Sequence, residues 1–211
     1  MPDFATLALF FGAALVLAAM PGPGMFYIAG RTLASGRADG FASCMGSALG
    51  GCVHVLAGAA GVSALVMASA AAFATLKLAG GLYLIYLGIQ TWRSAAAPAL
   101  AQEGATSPDA LRAFRQGVIV EATNPKMAAF FLAIIPQFID ASRGSVAAQF
   151  VTFGLISVVL NTGMAVLVVS ATSAMRGRLA GKAHIVCRLR QGSGAILDGL
   201  GVSLLLTRRP A

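Results

Sequence analysis

Charge is scarce in this sequence: Asp, Glu, Lys and Arg make up only 10% of the 211 residues, whereas 58% are hydrophobic. A soluble domain usually carries about 25% charged residues, so this composition excludes a soluble domain and indicates an integral membrane protein. Cysteine is scarce as well. Cys44, Cys52 and Cys187 are too few and too scattered for a disulfide framework or a zinc site. Within an apolar stretch, a thiol is most often a small packing residue.

Catalytic motifs are also missing from the sequence. No glycine-rich nucleotide loop precedes a helix in the required pattern, and no set of serine, histidine and acid is visible. We therefore expect a protein that is not an enzyme and that holds no cofactor and no metal ion.

The basic residues lie between the apolar stretches. The net charge of +8 would suggest nucleic acid as a partner of a soluble protein. This arrangement instead fits the positive-inside rule, so we expect a lipid bilayer as a partner and no nucleic acid. Three basic loops are predicted to be cytoplasmic, with both termini outside, and they contain Arg31, Arg37, Arg93, Arg112, Arg115, Arg176, Arg178, Lys182, Arg188 and Arg190.

Long apolar stretches predict the membrane spans, because a bilayer core needs about 20 apolar residues in a helix. Five stretches reach that length, and a sixth, which contains Asp198, is shorter. The first stretch follows Met1-Pro2-Asp3 rather than the basic segment of a signal peptide, so we expect it to be retained. The predicted spans are Phe4–Ala29, Gly40–Ala68, Ala70–Trp92, Gly117–Ile139, Ser145–Thr172 and Ser193–Thr207.

An internal repeat supports the sixth span. The pattern Lys77-x3-Gly81-x2-Leu84-x2-Leu87-Gly88 recurs as Arg190-x3-Gly194-x2-Leu197-x2-Leu200-Gly201. Three spans per unit force the second copy to insert upside down. The predicted fold is an all-α integral membrane protein with six transmembrane helices in an inverted 3+3 repeat, in which helices one and four are broken. Residues 1–93 form the first three-helix unit, 94–112 a flexible polar linker and 113–211 the second unit.

Two helix-breaking motifs carry the functional prediction. Pro21-Gly22-Pro23-Gly24 interrupts the first span and Asn124-Pro125-Lys126 the fourth, early in each half. Breaks at corresponding places in two halves indicate a transporter's binding site. Asn is a preferred N-cap and Pro fits the first helical position, so a half-helix should begin at Pro125 and run through Phe130 and Phe131. The first motif ends one helical segment, and a second is predicted to begin at Pro23. Each new N-terminus attracts anions, and Lys126 adds a positive charge. We predict that the seven residues of the two motifs form a binding site for an anionic group of the substrate. They are Pro21, Gly22, Pro23, Gly24, Asn124, Pro125 and Lys126.

Alternatives remain for each of these motifs. Both breaks are also compatible with simple kinks that neighbouring helices fill. Glu121 is the first candidate for proton coupling, or else half of a structural ion pair with Lys126. His54 is the second candidate, or else a packing residue. Asn161 either hydrogen-bonds between helices or lines the route. The glycines of Gly46-x3-Gly50, with Gly51, Gly58 and Gly61 beyond, predict close helix packing, and such faces make a homodimer reasonable.

Three segments follow one another along the chain: "AMPGPGMFYIAGRTLASGRADGF", "ATNPKMAAFFLAIIPQF" and, between them, "KLAGGLYLIYLGIQTWR". In their order and spacing they resemble the LysE/RhtB family of amino-acid exporters. This resemblance implies export of amino acids or close derivatives from the bacterial cytoplasm through the inner membrane, driven by an ion gradient. Pro21, Gly22, Pro23, Asn124, Pro125 and Lys126 would then surround the substrate route. After Gln149 the chain departs from the family, because it lacks an acidic residue near Asn161 and has Asp198 at an apolar position.

Secondary export of an amino acid, coupled to proton antiport, is therefore the leading hypothesis. Two alternatives stay open: export of a metal cation or another small solute by the same scaffold, and a membrane scaffold protein that transports nothing. Against a metal cargo, the spans offer few Cys, His and carboxylate ligands.

Overall fold

Apolar sequence interrupted by proline and glycine folds here into helices of unequal length. The computed structural model describes residues 2–68 and 109–174, together with isolated helical positions within 75–93 and 191–202. All regular structure in the described residues is helical. The six α-helices of the two long described segments are α1 (Phe4–Ala19), α2 (Pro23–Ser35), α3 (Arg37–Ala68), α4 (Ala110–Ala122), α5 (Pro125–Ala129) and α6 (Val146–Ala174).

The described helices include four of the predicted spans. Arg37–Gly61 of α3 and Val146–Ala174 are each long and apolar enough to cross a membrane. Two bent pairs bring the number to four: α1 with α2, bent by 48°, and α4 with Pro125–Phe138, bent by 41°. The all-helical membrane fold with bends in the first and fourth spans is therefore confirmed.

Other parts of the fold prediction lie outside the described residues. These are spans three and six, apart from isolated helical positions, and most of the 94–112 linker. Asp109 caps α4 and the helix begins at Ala110, so the described end of that linker is already helical. Because the inverted 3+3 repeat depends on spans three and six, it stays a prediction.

Helix α3 packs directly against α4 because glycines remove the side chains between them. A methyl group on Gly46 would lie 2.0 Å from the carbonyl oxygen of Phe114, and one on Gly117 would lie 2.4 Å from that of Ser43. A methyl on Gly50 would likewise meet the backbone of Val118. The predicted close packing at Gly46 and Gly50 is confirmed.

Helix α6 runs antiparallel to α3 and completes the core around it. Gly51 of α3 faces Val158, and Gly58 faces Phe150 near the other end of the contact. The largest fully buried side chains in this region are five phenylalanines, Phe10, Phe130, Phe131, Phe150 and Phe153. In a second cluster Cys44 is buried beside Ile28, Ala165 and Val169, as expected of a packing thiol.

Ion pairs join the helices at the two ends of the described structure. At one end, Arg31 Nη2 of α2 lies 2.8 Å from Asp39 Oδ2 of α3, and both side chains are buried. At the other end, Arg143 bonds the exposed carboxylate of Asp3. Hydrogen bonds from Thr6, and then from Arg143, lower the pKa of Asp3 from 3.8 to about 2. The stabilisation from this shift is complete above pH 3.8 and is lost as the pH falls through about 2.

The α3–α4 contact predicts that Gly46→Ala destabilises the protein. The added methyl meets a backbone oxygen that cannot turn aside, so we expect the free energy of unfolding to fall by about 1–3 kcal/mol. Unfolding midpoints in detergent micelles would measure the change. Gly12→Ala is the matched control, because Gly12 lies in α1 with no atom within 4 Å of an added methyl. Equal midpoints for Gly46→Ala and wild type would contradict this packing.

Candidate functional site

The first break separates α1 from α2 through three residues, Met20, Pro21 and Gly22, that belong to neither helix. Helix α1 ends at Ala19, and the N–H of Met20 returns to the carbonyl of Leu17 at 3.1 Å. Gly22 is the extended N-cap of α2, and Pro23 occupies the first helical position, where a missing N–H costs nothing. The motif therefore ends one helix and begins another, as predicted.

The second break begins a helix at Pro125, which confirms the prediction from Asn124-Pro125. The side-chain oxygen of Asn124 accepts a hydrogen bond from the N–H of Lys126 at 3.1 Å, and Pro125 stands at the first position. The half-helix does run through Phe130 and Phe131. It is α-helical only to Ala129, however, and it becomes a π-helix over Phe130–Ile134 and a 3₁₀-helix over Ile135–Phe138. Pro136, which lacks an N–H, explains the change in hydrogen bonding.

The two breaks meet inside the described structure. A methyl group on Gly22 would lie 3.2 Å from the Lys126 side chain. One on Gly24 would lie 2.5 Å from Oε2 of Glu121. The first turn of α2 therefore packs against side chains from both sides of the second break, and a methyl group on Gly24 would displace the Glu121 carboxylate.

Lys126 has partners that sequence reasoning missed. Its ammonium group donates to the carbonyl of Met20 at 3.0 Å and to that of Leu17 at 3.3 Å, and its side chain is buried. These carbonyls belong to the last turn of α1, the electronegative end of that helix. The positive charge predicted to face a substrate anion is thus used in holding α1 to α5.

Glu121 lies in the last turn of α4 and is only 5% exposed. Its Oε2 accepts a hydrogen bond from Asn124 Nδ2 at 3.2 Å. The carboxylate rests against the positively polarised start of α2, beside Gly24. Among the ion pairs of the described residues none joins Glu121 to Lys126, so the structural pair considered from the sequence is not present.

His54 contacts the backbone of the second break rather than its carboxylate. Its Nε2 lies 2.9 Å from the carbonyl oxygen of Glu121, and its ring packs 5.6 Å from that of Phe131. A carbonyl only accepts hydrogen bonds, so Nε2 is the protonated nitrogen. The structure gives His54 the packing contacts of the alternative considered from the sequence; its proton-carrying role stays a prediction.

Two small polar cavities adjoin the junction of the breaks. The larger, of about 20 Å³, is lined by Gly22, Gly24, Met25, Ile28, Ser47, Glu121, Asn124, Lys126, Asn161 and Ala165. The smaller, of about 10 Å³, shares Ser47, Glu121 and Asn161 with it. Each has room for about one water molecule, so neither of these two cavities accommodates a larger solute as it stands.

Some predicted residues shape the cavity without lining it. Pro21, Pro23 and Pro125 set the backbone of the breaks, whereas Gly22, Gly24, Asn124 and Lys126 reach the larger cavity. Ser47 was not predicted. The only sequence signal for it is its place beside Gly46 on the close-packed face of α3.

The fold and this site define a class of protein: an α-helical membrane protein in which two broken helices enclose a polar cavity. A family model described as LysE type translocator matches residues 15–208. The chain therefore belongs to the LysE type translocator family, as its motifs indicated, and it resides in the bacterial inner membrane. Membership makes it a transport protein with a small-molecule substrate.

Relatives are similar in sequence to this chain over most of its length. An uncharacterized membrane protein of Vibrio cholerae is 31% identical over 191 residues, 90% of this chain and 92% of the relative. The homoserine/homoserine lactone efflux protein of Salmonella typhimurium is 34% identical over 161 residues, 76% of each chain. No solved structure shows a significant match to this chain.

The contacts of Lys126 predict that Lys126→Met destabilises the protein even without substrate. The carbonyls of Leu17 and Met20 lose their charged donor inside the membrane, which should lower the free energy of unfolding by about 1–3 kcal/mol. Chemical unfolding of purified protein in micelles would measure the loss. Arg115→Met, an exposed change on α4, should stay within about 0.5 kcal/mol of wild type. Equal losses in both variants would contradict the role of Lys126 in joining the breaks.

Proposed function

We propose that this protein exports amino acids or close derivatives from the cytoplasm through the junction of the two breaks. One observation carries the proposal: both breaks meet at a polar cavity that contains the buried side chains of Glu121, Asn124 and Lys126. Buried charged groups in a membrane are costly and mark solute or ion pathways. The efflux relative from Salmonella typhimurium supports an amino-acid-type cargo.

The substrate route follows the predicted motif residues. In this proposal Pro21, Gly22, Pro23 and Gly24 on one side, and Asn124, Pro125 and Lys126 on the other, form the walls that part when substrate enters. A closed cavity of about 20 Å³ requires such a movement, since it holds only about one water molecule. The bends of 48° and 41° are the natural hinges, because no continuous helix resists motion there.

Proton antiport is the proposed coupling, with Glu121 as the proton carrier. It is buried, it lines both cavities, and it forms no direct ion pair among the described residues, although the Lys126 charge lies near enough to act on it. His54 is the second candidate, but it lines neither cavity and its Nε2 is engaged by a backbone carbonyl. We therefore place the exchangeable proton on Glu121.

An efflux experiment tests the export proposal. Cells that overproduce the protein should release preloaded labelled homoserine, and some members of an amino-acid panel, faster than cells with an empty vector. Gly24→Val is the matched variant, because its side chain would occupy the space of the Glu121 carboxylate. That variant should reach the membrane normally and release nothing above vector. Equal release from wild-type and vector cells, across the whole panel, would refute export.

Glu121→Gln tests the coupling. In proteoliposomes with saturating homoserine, a pH gradient should accelerate wild-type transport but not the variant, since glutamine cannot carry a proton. Exchange of homoserine at equal pH measures how the variant handles substrate, separately from its response to pH. Asp140→Asn is the control, because it removes an exposed carboxylate from the loop before α6. A Glu121→Gln variant with the wild-type response to pH would exclude Glu121 as the carrier.

A further inference from the structure

The positive features of the cavity are already engaged by the protein itself. The Lys126 ammonium group donates to the carbonyls of Leu17 and Met20. The start of α2, which would otherwise attract an anion, has the carboxylate of Glu121 against it at Gly24. Little capacity remains for a substrate carboxylate in this part of the cavity.

The polar atoms that stay available are hydrogen-bond acceptors. In the Glu121 carboxylate, Oε2 accepts a hydrogen bond from the Asn124 side chain, whereas Oε1 accepts none from a described side chain. Asn161 Nδ2 contacts the sulfur of Met127 at 3.3 Å, a weak acceptor, and no described residue donates to Asn161 Oδ1. The Ser47 hydroxyl has no hydrogen-bond partner among the described residues. All three side chains line both cavities.

We infer that Ser47, Glu121 and Asn161 form a subsite for the ammonium group of the substrate, which is recognised by its amino group rather than by its carboxylate. The inference rests on the proposed function. An ammonium group offers three N–H donors and one positive charge, and the subsite offers three acceptor side chains and one negative charge. Its size also fits, because a cavity with room for one water accommodates a single ammonium group.

Charge explains why this subsite needs a ligand. A buried carboxylate is costly in a membrane unless a cation or several donors compensate it. Glu121 receives one side-chain hydrogen bond from Asn124. Lys126 lies on the same cavity, but its ammonium group donates to the carbonyls of Leu17 and Met20, and among the ion pairs of the described residues none joins it to this carboxylate. A substrate ammonium would pair with the carboxylate directly, with Asn161 and Ser47 fixing its direction.

A panel of three probes tests the inference on the purified full chain. Homoserine has both groups, homoserine lactone keeps the amine without a free carboxylate, and N-acetylhomoserine keeps the carboxylate without a basic amine. Ligand-induced thermal stabilisation, measured below about pH 7 where an α-amino group is protonated, gives apparent Kd values. We expect homoserine and its lactone to bind within about threefold of each other. N-acetylhomoserine should bind at least about tenfold more weakly, since it cannot bond to the carboxylate as a cation.

The outcomes separate this inference from the proposed function. N-acetylhomoserine binding as well as homoserine, or the lactone failing to bind, would overturn the subsite even if cells export homoserine. Binding in the expected order without export would support the subsite and refute the export proposal. If none of the three probes binds, the subsite is overturned, and release of the labelled amino-acid panel decides the export proposal by itself.

Variants locate the subsite. Asn161→Leu should raise the apparent Kd of homoserine and of the lactone together, by about tenfold or more, because each loses a hydrogen bond from its charged group. Ser47→Ala is the milder variant and should raise both by a smaller factor. Ser157→Ala is the control, since Ser157 is a buried hydroxyl one turn away on α6 that bonds to Phe153 and lines neither cavity. Wild-type Kd values in folded Asn161→Leu and Ser47→Ala would overturn the subsite.

Discussion

A helix break leaves backbone N–H and C=O groups without their helical hydrogen bonds, and inside a membrane these groups need other partners. Here polar side chains at the breaks, together with His54 on α3, form hydrogen bonds with them. Lys126, from the second break, donates to the carbonyls of Leu17 and Met20 at the first. Asn124 caps its own helix, and His54 on α3 reaches the carbonyl of Glu121. The carbonyls of Leu17 and Glu121 also accept backbone N–H groups, from Met20 and Asn124. The side-chain contacts therefore matter most for the Met20 carbonyl and the Lys126 N–H, which are costly to leave unpaired in hydrocarbon. The bent spans therefore depend on polar side chains that meet at one place.

The contacts that hold the two breaks together also oppose the movement that would admit a solute between them. If α1 and α2 separate from α5 to admit a solute, Lys126 loses its carbonyl partners, and the first turn of α2 leaves the Glu121 carboxylate. Those losses favour the closed conformation unless a ligand or water replaces the contacts. The residues that hold the breaks together are then the residues that determine how easily they part. A solute that bonds to Glu121 would offset part of the cost of opening.

How far the sequence predicted this structure depends on the range of each interaction. The starts of helices at Pro23 and Pro125 are local properties of three or four residues, and both were predicted correctly. Close packing was also predicted correctly for the glycines of α3 except Gly61, where an added methyl group would meet nothing within 4 Å. The partners of Lys126 were not predicted, because Leu17 and Met20 lie 109 and 106 residues away in the chain. Ser47 was missed for the same reason: a hydroxyl on a helix becomes a cavity wall only through its neighbours. The sequence left two roles open for Asn161. Its position at both cavities results from the packing of α6 against α3, which could not be predicted from the sequence.

One carboxylate between two cavities has a consequence for how transport is coupled. A proton and an ammonium group both bind Glu121 through its negative charge, so an oxygen that carries one has little attraction for the other. Lys126 on α5 is a fixed positive charge near Glu121. His54 on α3 contacts Glu121 at its backbone carbonyl and not at its carboxylate. Substrate leaving on one side would free the carboxylate for a proton, and a proton leaving on the other would free it for substrate. Exchange at a single group then yields antiport without a separate coupling path, and it explains why the proposed proton carrier and the proposed ammonium subsite share a residue.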